Sequence, residues 1–211
     1  MMYLQEFILV ASLHLIAVAS PGPDFALVLK QSIRYGRATA IYSSLGIATG
    51  ILLHVTYSLI GIGLVIQSNP NYLLILKYVA AAYFLYIAFY AIRAKAPEQD
   101  ISQQYHHQSD TPSPFKAFRG GFLINGLNVK ATLFFVSVFS GVIATTTPFD
   151  VRLGYGLYMA VATGIWFCFL SLLLTHNRIR SALVKKGYWL DRLMGVVLLL
   201  LALELIFGDL K

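Results

Sequence analysis

The chain of 211 residues is 58% hydrophobic and only 12% charged, with a net charge of +7 and a mean hydropathy of +0.71. A soluble domain carries about 25% charged residues and about 45–50% apolar ones, so this chain lacks the charge to cover a water-facing surface. Its basic residues lie between apolar segments, which points to orientation in a bilayer and away from a nucleic-acid partner.

The first apolar segment spans 4–29. Ala17-Val18-Ala19 looks like a cleavage site, but the first sixteen residues hold no Lys or Arg. A signal peptide needs a basic start, so the segment reads as a retained helix. Inside it lies Ser20-Pro21-Gly22-Pro23-Asp24, two prolines, a glycine and a carboxylate in an otherwise apolar run. Pro21 and Pro23 have no N–H, so the carbonyls of Ala17 and Ala19 lose their helical donors. Gly22 lets the backbone bend between them. Freed carbonyls in a membrane must face protein, water or a solute.

Further apolar segments follow at 39–66, 73–92, 115–144, 153–174 and 190–207. A span needs about 20 residues, so six spans are expected. Lys30, Arg34 and Arg37 lie in the first connection, and Arg93, Lys95, Lys116 and Arg119 in the third. The fifth holds Arg178, Arg180, Lys185 and Lys186, with Arg192 at the start of the helix that follows. The second holds no Lys or Arg, and the fourth only Arg152. The positive-inside rule then puts both termini outside and the odd connections in the cytoplasm.

Residues 94–114 carry Glu98, Asp100, His106, His107 and three prolines, and read as a flexible cytoplasmic linker. Two adjacent histidines without a third ligand make no metal site. The linker divides a single transmembrane domain, 1–211, into repeats at 1–93 and 115–211. The repeats enter the membrane from opposite sides, the layout of an inverted-topology transporter. The expected fold is an all-α integral membrane protein of six transmembrane helices in two inverted three-helix repeats, with helices 1 and 4 broken. The second break is Asn125-Gly126-Leu127-Asn128, followed by Lys130 as the first is followed by Asp24. Small residues four apart mark the central span of each half: Gly46 and Gly50, then Gly156, Ala160 and Gly164.

Asp24 has three readings: a proton relay, a seat for a substrate ammonium, or a first-turn acid favoured by the dipole of the half-helix after the break. Lys130 lies about 22 Å into its span at helical rise, deep for a lysine that snorkels to water. It can pair with Asp24 or bind a substrate carboxylate. Asn125 and Asn128 share a helix face and offer amide groups to a zwitterion, or serve as polar glue between helices. His14 and His54 are proton-carrying candidates or hydrogen-bonded packing residues. Glu204 reads as interfacial. The lone Cys168 can form no disulfide within the chain. No nucleotide loop or nucleophile–base set appears, so no enzyme activity and no cofactor is expected.

These stretches resemble the lysine-exporter superfamily of amino-acid efflux permeases, within it the homoserine/threonine-resistance branch. The resemblance rests on residues 14–25, Gly36-Arg37, Leu45-Gly46 with Gly50, residues 120–128, Phe134-Phe135 and Asp191-Arg192-Leu193-Met194-Gly195. Val138-Phe139-Ser140 looks most like the threonine exporters. The resemblance implies a secondary exporter in a bacterial inner membrane, usually driven by protons. The family commonly has Asn-Pro-Lys in the second break, whereas this chain has Asn128-Val129-Lys130. Valine keeps its N–H, which predicts a shallower second break and a more pronounced one at Pro21-Gly22-Pro23.

The function expected is export of neutral amino acids, threonine- or homoserine-like, by proton-coupled alternating access. Pro21, Gly22, Pro23, Asp24, Asn125, Asn128 and Lys130 would bind substrate; Asp24, His14 or His54 would couple protons. The partners expected are a small amino acid, protons and the lipid bilayer, and the glycine-faced spans together with the family resemblance point to a homodimer. The alternatives are an exporter of another solute or a metal ion, a membrane-embedded enzyme, and a non-transporting membrane interaction protein.

Overall fold

The computed structural model describes residues 2–68, 70–95 and 111–207. Among these the regular structure is helical: α1 (Met2–Ala19), α2 (Pro23–Arg34), α3 (Arg37–Ser68), α4 (Pro70–Ile92), α5 (Pro114–Gly126), α6 (Val129–Ser137), α7 (Phe149–Leu173) and α8 (Asn177–Phe207). A π-helical turn, Val138–Val142, continues α6. Most of the polar linker, with His106 and His107, lies outside the described residues.

Every apolar segment is helical. The sixth differs in its start: α8 begins at Asn177 and runs for 31 residues, about 46 Å at helical rise. Its first turns are basic, so hydropathy alone places the start too late. Arg37–Gly61 and Phe149–Leu173 are each long and apolar enough to cross a membrane, and the pairs α1–α2 and α5–α6 raise the number to four if each bent pair is one span.

Both interruptions bend the chain, by 50° between α1 and α2 and by 55° between α5 and α6. The expectation of a shallower second break is therefore overturned. Val129 is the first residue of α6, where a backbone N–H has no intrahelical acceptor whatever the residue. Asn128 stops the helix instead: its backbone is extended (φ −75°, ψ 103°), and its Oδ1 accepts from the N–H groups of Lys130 and Ala131. At the first break Gly22 is fully extended and Pro23 opens α2. Gly36, at φ 83°, is the left-handed turn between α2 and α3 among the described residues.

α3 is the central element, packing against both α5 and α7, while α4 packs on α8. The approach of α3 to α5 is backbone to backbone. A Cβ on Gly46 would lie 2.0 Å from the Phe118 carbonyl oxygen, and one on Gly121 would lie 1.9 Å from that of Ser43. Ser43 donates to the Ala117 carbonyl across the same seam. Gly156 and Gly164 face Val55 and Ala48 of α3. The glycine faces are thus used within one chain and lend no support to the homodimer.

Three apolar clusters hold the bundle. One joins Val10, Val55, Phe135, Phe139 and Met159; a second joins Leu13, Ala81, Phe84, Met194 and Leu198; a third joins Val28, Ile47, Phe167 and Leu170. α1 contributes to the first two, so the first break is held between α7 on one side and α4 with α8 on the other. At the start of α1, Glu6 accepts from the Ala144 N–H, the Thr147 hydroxyl and the Tyr155 hydroxyl. The carboxylate ties this end of α1 to the loop after the π-helical turn and to α7. Large apolar side chains such as Ile60, Tyr86, Val161, Ile165 and Leu200 are exposed on the outer faces. A water-soluble monomer rarely carries so much.

Candidate functional site

The two breaks meet. Asp24, in the first turn of α2, receives hydrogen bonds on Oδ2 from Nδ2 of Asn125 at 3.0 Å and of Asn128 at 3.3 Å. Asn128 therefore caps α6 with its oxygen and holds Asp24 with its nitrogen. The α2 N-terminus adds a favourable partial charge beside the carboxylate. The second oxygen, Oδ1, is buried and has no hydrogen-bond partner among the described residues.

Asn125 is placed from two sides. Its Nδ2 reaches Asp24, while its Oδ1 lies against Gly50, where a Cβ would come within 2.7 Å. Its backbone carbonyl, at the end of α5, accepts from His54 Nε2 at 2.9 Å. A carbonyl only accepts, so Nε2 carries the proton and Nδ1 accepts from the Tyr57 hydroxyl. The ring stacks on Phe135 with an interplanar angle of 17°. Nε2 thus fastens the second break to α3, while Nδ1 is held by Tyr57 one turn further along the same helix.

Lys130, in the first turn of α6, donates from Nζ to Ser20 Oγ at 3.0 Å, and Ser20 donates to Asp191 Oδ1 at 2.6 Å. The lysine therefore reaches the first break at Ser20 and not through a hydrogen bond to Asp24. His14 is buried on α1, with Nε2 3.0 Å from Thr163 Oγ1 of α7.

Between the breaks lies a cavity of about 70 Å3, room for about five waters, comparable with a small amino acid. Ser20, Gly22, Pro23, Asp24, Asn125, Asn128, Lys130 and His14 line it, with Thr163 and an apolar wall that includes Ile51, Phe84, Phe134 and Phe167. Of the expected residues, Pro21 and His54 are not part of this lining; the Pro21 ring instead packs beside Gly187 of α8. Glu204 is exposed on α8, away from the cavity. Sequence reasoning missed Ser20 and Thr163 as site residues, and above all Asp191. The signal was present: Asp191 is a carboxylate four residues from Gly187 and three from Met194, on one face of an apolar helix. With the helix expected to start at 190, Asp191 entered only through the family resemblance and was given no role.

The chain can now be set beside known proteins. It is 27% identical to a threonine efflux protein of Salmonella typhi over 194 residues, which cover 92% of this chain and 94% of that protein. Against a threonine efflux protein of Escherichia coli K12 the identity is 26%, with the same coverage. A leucine efflux protein of Salmonella choleraesuis is 29% identical over 171 residues, 79% of this chain and 75% of that protein. No solved structure matches. The LysE type translocator family matches residues 15–208, a stretch that holds both breaks, the cavity between them and the α8 face behind it, and the chain belongs to that family.

Proposed function

We propose that the protein is a secondary exporter of neutral amino acids, threonine- or homoserine-like, working by proton-coupled alternating access. One observation carries the reading: a half-buried carboxylate, Asp24, is held across the two breaks by Asn125 and Asn128, with its buried second oxygen unpartnered among the described residues, in a cavity of amino-acid size. An oxygen that can only accept suits an ammonium. The free N–H groups of Lys130 suit a carboxylate, and the apolar wall suits a small uncharged side chain. The names of the relatives, threonine and leucine efflux proteins, support this substrate class.

On this reading α4 and α8 complete six spans. The pairing of α3 with α7 and of α4 with α8 is what a pseudo-two-fold relation between inverted halves would produce. The site sits in a bacterial inner membrane with both termini outside. Asp24 alternates between proton and ammonium: a proton from outside neutralises the carboxylate and releases the substrate's amino group. His14, on the cavity wall, is a second proton carrier. His54 acts by fixing the second break. A homodimer rests on the family alone.

The test is flux in liposomes holding the purified protein, preloaded with threonine, homoserine or leucine, with and without a pH gradient. Asp24→Asn, which keeps the shape and loses the charge, is expected to fold and to lose exchange and gradient-driven flux together. Full counterflow in that variant would remove Asp24 from the mechanism.

A further inference from the structure

A lysine and an aspartate facing one small, largely apolar cavity attract each other strongly. Left alone they would close into a direct ion pair, and a substrate would have to break that pair to bind. The observed hydrogen bonds are different. Asp24 Oδ2 is held by two amides from the other half. Lys130 Nζ is held by Ser20 Oγ, which passes its own proton to Asp191 Oδ1.

The approach of Asp191 is built into α8. Gly187, Asp191, Met194 and Leu198 are spaced four, three and four apart, so they share one helix face. Gly187 leaves room for the Pro21 ring, whose Cγ would lie 3.0 Å from an added Cβ. Met194 and Leu198 line the cavity. The face that seals the cavity thus also presents a carboxylate to Ser20 in the first break. The exporter reading above gives Asp191 no role, yet it accepts from Ser20, which is the acceptor of the only hydrogen bond that the Lys130 side chain makes among the described residues.

We propose that Asp191 is a positioning residue which, acting through Ser20, holds Lys130 apart from Asp24 and so keeps both charged ends of the cavity open for a zwitterion. The inference deepens the exporter reading and rests on it. Lys130 keeps two N–H groups for a substrate carboxylate, and Asp24 Oδ1 stays free for the amino group. Without the tether, Lys130 swings to Asp24 and the pair competes with substrate. The tether therefore acts on affinity and much less on turnover.

The experiment is counterflow of labelled threonine, homoserine and leucine in liposomes holding the full chain. Ser20→Ala is expected to raise KM about tenfold or more, as loss of a hydrogen bond to a charged group does, with little change in maximal rate; Asp191→Asn, which keeps an acceptor oxygen but loses the charge that orients the Ser20 hydroxyl, raises KM in the same way and by less. Asp191→Glu and Ser20→Thr, which keep the charge and the hydroxyl, retain most of the wild-type KM. The double variant Ser20→Ala with Asp191→Asn is no worse than Ser20→Ala alone, because Asp191 reaches Lys130 through Ser20. Two outcomes overturn the proposal: an unchanged KM in a folded Asp191→Asn or Ser20→Ala protein, or additive losses that fall on KM and maximal rate alike. If Asp191→Asn fails to fold, Ser20→Ala decides alone. Wild-type liposomes with no saturable flux of any of the three amino acids would instead overturn the exporter reading, and the tether with it.

Discussion

Asn128 closes the second break with a single side chain, capping α6 through its oxygen and reaching Asp24 through its nitrogen. Val129, next to it, contributes nothing to the break. Its N–H is one of the orphan donors of a helix start, and the extended backbone of Asn128 already suits a residue before proline. Val129→Pro is accordingly expected to leave flux unchanged and to shift stability by no more than about 1 kcal/mol, read by thermal unfolding in detergent. A large loss of stability would mean that the Val129 N–H is needed. The position of the break was readable at residue level, because proline and asparagine act on the adjacent backbone. Its depth was misjudged because proline was credited with what the asparagine cap does.

Helix α3 meets α5 where neither chain has a side chain to spare. Adjacent glycines make the sharpest comparison. A Cβ on Gly121 would fall 1.9 Å from a backbone oxygen of α3, whereas one on Gly120 meets nothing within 4 Å. Gly121→Ala must push the helices apart, and a loss of at least the about 1–3 kcal/mol typical of overpacking is expected. Gly120→Ala gains up to about 0.5–1 kcal/mol of helix propensity. Thermal unfolding of the two variants in the same detergent checks both; equal effects would show that the seam gives way. The small-residue spacing of Gly46 and Gly50 was visible in the sequence. Which helix it admits was not, since any close neighbour satisfies such a pattern.

For the molecule as a whole, α3 packs on α5 and α7 and α4 on α8, and the cavity lies between the two breaks. The proposed orientation follows from the basic odd connections. A reporter that fluoresces only in the cytoplasm, fused after Lys211, is expected to stay dark, and the same reporter placed within 94–114 to light up. The reverse pattern would overturn the proposed orientation. Membership of the LysE type translocators agrees with the resemblance seen in the breaks and glycines. Substrate and coupling are decided by flux.

Local chemistry alone determined a good part of this protein. Too little charge to cover a soluble surface made it a membrane protein. Proline, glycine and an asparagine cap set the two breaks, since each acts on hydrogen bonds within one turn. The residue types in those breaks named Asp24, Asn125, Asn128 and Lys130 as candidates. Only the tertiary structure decided how they pair. Asp24 and Asn125 lie 101 positions apart, Ser20 and Lys130 lie 110 apart, and Ser20 and Asp191 lie 171 apart. Which charge faces which depends on how helices from both halves pack, and on a Gly187 that lets α8 reach the first break. Nothing within one helical turn of Lys130 specifies that its hydrogen bond runs to Ser20, and so toward Asp191, leaving Asp24 open.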